Sequence, residues 1–185
     1  MQFLDALFVI TALIAAVYDF LYYKIPNIWV GVLFAIFVTE ALIFSPFSHW
    51  ILPETILMPL AILLSVIIVG YVLFRFGLMG AGDVKLLAVI SAWAYSRNSL
   101  INYWIIVSVI GGVLGFMYLQ FVEIINSVRI RLSILLNGLL RWPVLSEKEA
   151  SNNISSLGKS KTIIPYGVAI SCGAVVLILM KVSHS

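Results

Sequence analysis

The sequence has few charged residues and very little cysteine or histidine. Only 10% of its 185 residues are Asp, Glu, Lys or Arg, whereas 63% are hydrophobic. A soluble domain is about a quarter charged and about half apolar. The composition therefore indicates an all-α integral membrane protein, and the length suits one membrane-embedded domain over 1–185.

The sequence also lacks the motifs of several common enzyme classes. The single cysteine, Cys172, excludes an intrachain disulfide and a Cys-x-x-Cys zinc site. His49 and His184 lie far apart in the sequence and do not indicate a metal site. There is no Gly-x-Ser-x-Gly, no His-Glu-x-x-His and no phosphate-binding loop. We expect neither a metal nor a cofactor, and no nucleic-acid partner.

Long apolar runs are what the sequence does contain. A membrane-spanning helix needs about 20 predominantly apolar residues. Six segments are candidates: 3–22, 28–47, 54–76, 84–96, 101–125 and 163–182. The fourth is short, which predicts that it begins a turn earlier or is shielded by protein.

The lysines and arginines predict the orientation of these spans. Nine of the eleven fall in alternate connections, around 24, 75–85 and 126–162, while only Arg97 and Lys181 lie on the other side. Because cytoplasmic loops are enriched in basic residues, we expect both termini outside and these three connections inside the cell. In the cytoplasmic loop 126–162, spaced arginines among leucines at 129–142 predict an interfacial helix.

Few acidic residues lie in or near the spans, and charges there mark function by default. We interpret Asp5, Glu40 and Glu123 as residues at the membrane boundary. Asp19 differs, because it lies about one turn before the end of the first span, among aromatic residues. Its simplest interpretation is an interfacial carboxylate paired with Lys24, and a functional role is the alternative.

Asp83 follows two glycines in Gly80-Ala81-Gly82-Asp83-Val84-Lys85, directly before the fourth span. Aspartate is a favoured helix N-cap, so a capping role is the simplest interpretation. The glycines also permit close approach of another backbone. The predicted topology brings Asp83 and Asp19 to the same membrane face. Two neighbouring carboxylates can divide the roles of proton acceptor and proton donor, as in aspartic proteases.

Three motifs resemble those of the type IV prepilin peptidases. Gly80-Ala81-Gly82-Asp83 with Lys85 is similar to their GxGD signature, and Asp19 followed by Lys24-Ile25-Pro26-Asn27 is similar to their first motif. Ile164-Pro165-Tyr166-Gly167 resembles the motif that opens their last helix. The three occur in the family's order and span nearly the whole chain.

The resemblance implies a GxGD-protease arrangement of six helices, with Asp19 and Asp83 as the catalytic dyad. It implies supporting roles in the site for Lys24, Pro26, Asn27, Gly80, Gly82, Lys85, Pro165, Tyr166 and Gly167. The implied activity is removal of the leader peptide from a prepilin or pseudopilin helix at the cytoplasmic face of the inner membrane. The implied partners are that helix and the lipid bilayer.

The chain departs from the long members of that family, which carry an additional cytoplasmic domain with paired cysteines and also methylate the new N-terminus. Its size resembles the short peptidases of tight-adherence (Flp) pilus systems, without methyltransferase activity. An archaeal-type preflagellin peptidase is the close alternative. A small transporter or a structural membrane subunit is the alternative from another class, because an acidic pair can also bind cations or protons.

Overall fold

The computed structural model describes residues 2–44, 57–140 and 164–183. Within these ranges the chain forms six helices and no strands. The helices are α1 Gln2–Tyr22, α2 Asn27–Phe44, α3 Met58–Arg75, α4 Ala81–Ser96, α5 Leu100–Leu140 and α6 Tyr166–Ser183. The protein is therefore an all-α membrane protein, as the composition predicts.

Three helical segments are long and apolar enough to cross a membrane: Phe3–Tyr22, Met58–Arg75 and Leu100–Ile125. Two further apolar helices, Asn27–Ile43 and Tyr166–Met180, are shorter. All five correspond to predicted spans. Residues 45–47 of the second predicted span and 54–56 of the third lie outside the described residues.

The fourth predicted span is a buried central helix. It begins at Ala81, three residues earlier than expected, so that Asp83 lies inside it. It packs against α2, α3 and α6, and Leu86, Ile90 and Trp93 are fully buried. A helix enclosed by other helices needs less apolar surface than one facing lipid, which accounts for its short length and modest hydropathy.

A glycine on α3 allows close packing against α4. A Cβ on Gly70 of α3 would lie 2.4 Å from Cγ1 of Val84.

A glycine also follows the end of α3, where Gly77 adopts a φ of 68°. The amide of Leu78 then donates to the carbonyl of Leu73 over 3.0 Å, which closes a Schellman motif. The residues after Leu78 connect this turn to the start of α4.

The segment after the fifth span was expected to hold a separate interfacial helix over 129–142 within a cytoplasmic loop 126–162. Residues up to Leu140 are helical, and two helical parts of α5 meet at a kink at Phe121. The second part therefore begins earlier than expected, and its interfacial position stays a prediction. Residues 141–162 of the predicted loop lie outside the described residues.

The chain forms two compact units, Met1–Val113 with Pro165–Ser185, and Leu114–Ile164. The first unit contains both Asp19 and Asp83. Its α6 contacts α1 and α4, and the hydroxyl of Tyr103 on α5 donates to the carbonyl of Ile170 on α6 over 3.2 Å.

An ion cluster joins the ends of α1, α2 and α4 that lie away from the two aspartates. Arg97, whose side chain is 3% exposed, forms ion pairs with both Asp5 and Glu40. Its guanidinium also lies 4.4 Å from the ring centroid of Trp93. Asp5 and Glu40 are therefore more than boundary residues, because they neutralise a buried cation.

Candidate functional site

Asp19 and Asp83 lie in the end turns of two different helices. Asp19 is in the last turn of α1 and Asp83 is the third residue of α4. Their exposed fractions are 4% and 7%. Burial of two carboxylates is costly in free energy, so their position requires a structural or functional reason.

The first turn of α6 brings the two aspartates together. The backbone amide of Gly167 faces both carboxylates, and the amide of Val168 also faces that of Asp19. Asp83 is near enough to Asp19 for the two carboxylates to interact electrostatically. Oδ2 of Asp19 is buried and accepts no hydrogen bond of normal geometry. The pair therefore forms one site built from three helices. In this site Oδ2 of Asp19 can accept a hydrogen bond from a further donor.

Glycine is required at two positions beside these carboxylates. A Cβ on Gly167 would lie 2.7 Å from Oδ2 of Asp19, and a Cβ on Gly80 would lie 2.9 Å from Oδ2 of Asp83. The amide of Gly80 donates to the same Asp83 oxygen over 3.3 Å. Asp83 is thus not the N-cap of α4, as its simplest interpretation required. Gly80 is the N-cap, and the carboxylate reaches back to it from position N3, as in one half of a capping box.

Asp19 is not paired with Lys24, the other simple interpretation. Among the described residues Lys24 is exposed and forms no ion pair with the buried carboxylate. The chain reverses at Tyr23, which adopts φ 50° and donates its amide to the carbonyl of Asp19 over 2.9 Å. This αL turn points Lys24 away from Asp19 and directs the following residue inward.

That following residue, Ile25, was not among the predicted site residues. It is 7% exposed. Its Cβ would lie 3.1 Å from a Cβ on Gly82, and its Cδ1 would lie 2.8 Å from a Cβ on Gly167. Ile25 therefore fills the space between the α4 and α6 glycines. The position of Ile25 inside the first motif, between Lys24 and Pro26, is the sequence feature that could have identified it as a site residue.

The remaining predicted site residues lie at or next to the starts of α2, α4 and α6. Nζ of Lys85 donates to Oδ1 of Asn27 over 3.0 Å, which ties the start of α4 to the start of α2. Pro26 is half-buried between α1 and α2, and Pro165 is fully buried before α6. Tyr166 packs against the core of the first unit. In the described ranges no group of three or more His, Cys, Asp or Glu side chains could hold a metal ion.

Comparison with known protein families identifies the family of the chain. The model of the type IV leader peptidase family matches residues 6–119, a range that includes both aspartates and ends before the Pro165–Gly167 motif. Curated proteins and solved structures gave no significant match. Because the family model covers more than half of the sequence, the chain belongs to the type IV leader peptidase family and is a membrane protease.

Proposed function

We propose that this protein is a membrane-embedded aspartic endopeptidase that removes the leader peptide from type IV prepilin-like substrates. The observation that carries the proposal is that the carboxylates of Asp19 and Asp83 are both buried and both lie near the backbone amide of Gly167. Two neighbouring buried carboxylates are what aspartic catalysis requires, so this arrangement supports the proposal.

The reaction would use the two carboxylates in opposite protonation states. The ionised carboxylate takes a proton from a water molecule, whose oxygen attacks the scissile carbonyl carbon. The protonated carboxylate donates a hydrogen bond to the carbonyl oxygen and stabilises the negative charge that develops there. When the tetrahedral intermediate collapses, the C–N bond breaks and the leaving nitrogen takes up the proton. No other nucleophile is needed.

The proposed location of the reaction is the cytoplasmic face of the inner membrane. The distribution of lysine and arginine supports this orientation, with both termini outside. Asp19 and Asp83 lie in the end turns of their helices, so the site would open at the membrane boundary. A prepilin leader, which remains in the cytoplasm, could then reach it without crossing the membrane.

A narrower assignment is to the short peptidases of tight-adherence (Flp) pilus systems, without methyltransferase activity. The connection between α1 and α2 is only four residues, 23–26, so it has no room for an additional domain. An archaeal-type preflagellin substrate is the close alternative. A transporter or a structural subunit is less well supported, because transporters bind ions near the membrane midplane.

Co-expression with candidate substrates tests the proposal. We expect a prepilin with a short basic leader to lose that leader, and the intact mass of the product identifies the bond that is cut and whether its N-terminus is methylated. Preferential cleavage of a preflagellin would favour the alternative peptidase. Absence of cleavage with every such substrate would contradict the proposal.

A further inference from the structure

An apolar groove lies beside the candidate site, within the first compact unit. Its volume is about 340 Å³, and its lining includes Leu87 from α4, Ser108, Gly111 and Gly112 from α5, and Tyr166 and Ala169 from α6. No lining residue carries a charge. The hydroxyl of Ser108 already donates to the carbonyl of Trp104 over 2.8 Å, so the groove presents apolar surface to an occupant.

Two residues that line the groove are close in the chain to residues of the site. Leu87 lies one helical turn after Asp83 and therefore on the same face of α4. Tyr166 directly precedes Gly167, whose amide faces both aspartates. A chain seated against Leu87 and Tyr166 would consequently lie beside the elements that carry Asp83 and Gly167.

We propose that this groove docks the transmembrane helix of the prepilin-like substrate, an inference that rests on the proposed function. Helices associate in membranes chiefly through close packing of small residues, because lipid is as apolar as the helices themselves. Gly111, Gly112 and Ala169 provide such a surface. Docking there holds the apolar segment in place and leaves the leader at the carboxylates, so the groove recognises the helix and not the basic leader.

Gly112 permits a direct test, because a Cβ there would meet no atom within 4 Å. Gly112 lines the groove, so a Gly112→Leu side chain adds bulk there, and its Cβ meets none of the protein's own atoms. Gly31 on α2 is the matched control, since it is also a helical glycine with nothing within 4 Å of its Cβ, and it does not line the groove. We expect Gly112→Leu to slow leader removal about tenfold or more by blocking close helix packing, and Gly31→Leu to cleave at the wild-type rate.

Cysteine cross-linking tests the same contact without relying on catalysis. Ser108→Cys is introduced into the full-length protein together with Cys172→Ala and Asp83→Asn, and single cysteines are placed along the apolar segment of an uncut prepilin. Ser65→Cys on α3 is the matched control, because Ser65 is also an exposed serine bonded to a carbonyl of its own helix. We expect cross-links from position 108 to recur every three to four substrate residues, the period of a helix, and none from position 65.

The outcomes separate this inference from the proposed function. If the wild-type protein cleaves the prepilin but Gly112→Leu cleaves equally fast, or if position 108 gives no periodic cross-links, the groove does not dock the substrate. A lipid acyl chain in the groove would give that second result. If the wild-type protein cleaves no prepilin, the proposed function fails, and the cross-links still decide whether the groove binds an apolar helix.

Discussion

Gly167 and Asp19 are in such close contact that no side chain fits between them. A Cβ on Gly167 would lie 2.7 Å from Oδ2 of Asp19 and 2.8 Å from Cδ1 of Ile25. Both atoms belong to buried residues, so neither can swing into open space. The position of the Asp19 carboxylate therefore depends on the absence of a side chain on α6.

Gly167→Ala should accordingly abolish most of the peptidase activity. A misplacement of about 1 Å in a catalytic group can cost about 100-fold in rate, and we expect a loss of that order. The fraction of processed prepilin in membranes measures it, and Gly31→Ala is the control because its Cβ is unobstructed. Normal processing by an inserted Gly167→Ala protein would show that the contact does not set the position of the carboxylate.

Lys85 and Asn27 should act as a coupled pair. Their hydrogen bond of 3.0 Å joins α4 to α2 next to the site, and a hydrogen bond to a charged group contributes about 1.5–3 kcal/mol at most. Because both side chains are exposed, we expect each of Lys85→Met and Asn27→Ala to reduce the cleavage rate only a few-fold.

The double variant distinguishes coupling from independent effects. If the hydrogen bond is what matters, Lys85→Met combined with Asn27→Ala should be little worse than either single change. Cleavage rates of the four proteins complete the cycle. Multiplicative losses would mean that the two residues act separately.

Arg97 should stabilise the fold without taking part in catalysis. Removing one partner of a buried ion pair costs about 3–5 kcal/mol, because the remaining charges stay buried. We therefore expect Arg97→Met to lower the unfolding temperature in detergent. Arg75→Met is the control, since Arg75 is exposed at the end of α3 and its loss should be nearly neutral.

The same variant should leave the chemistry intact below its unfolding temperature. Asp5, which pairs with Arg97, and Asp19 are 14 residues apart on α1, or roughly 21 Å at 1.5 Å per residue. Cleavage at low temperature should thus be close to that of the wild-type protein. A large loss of activity in folded Arg97→Met protein would contradict a purely structural role.

Much of this architecture follows from local sequence. The apolar runs predicted the helices, because a helix that crosses the membrane needs about 20 predominantly apolar residues. The glycines before Asp83 predicted close approach of another backbone, and the backbone nitrogen of Ile25 does lie 3.6 Å from the place of a Cβ on Gly82. At position 80 the missing side chain leaves room for the Asp83 carboxylate itself. The N-cap assignment was wrong by three positions, because Gly80 is the N-cap and the Asp83 side chain folds back from position N3 to its amide.

Other features depend on contacts distant in sequence. The ion cluster requires α1, α2 and α4 to meet at Arg97, and no local pattern specifies that meeting. The inward turn of Ile25 depends on the positive φ of Tyr23, a conformation that is uncommon outside glycine and asparagine. The approach of Asp19 to Asp83 depends on where α6 begins, about 80 residues after Asp83 in the chain.

Substitution of the two aspartates tests the central claim most directly. Full-length protein carrying Asp19→Asn or Asp83→Asn is co-expressed with a prepilin that the wild-type protein cleaves, and the prepilin is weighed by mass spectrometry. Glu123→Gln, which changes an exposed carboxylate in the same way, is the control. Because proton transfer by a catalytic side chain contributes about 10²–10⁴-fold in rate, we predict that each aspartate variant inserts normally and leaves the leader attached. Normal cleavage by either variant would contradict the assignment of Asp19 and Asp83 as one catalytic pair.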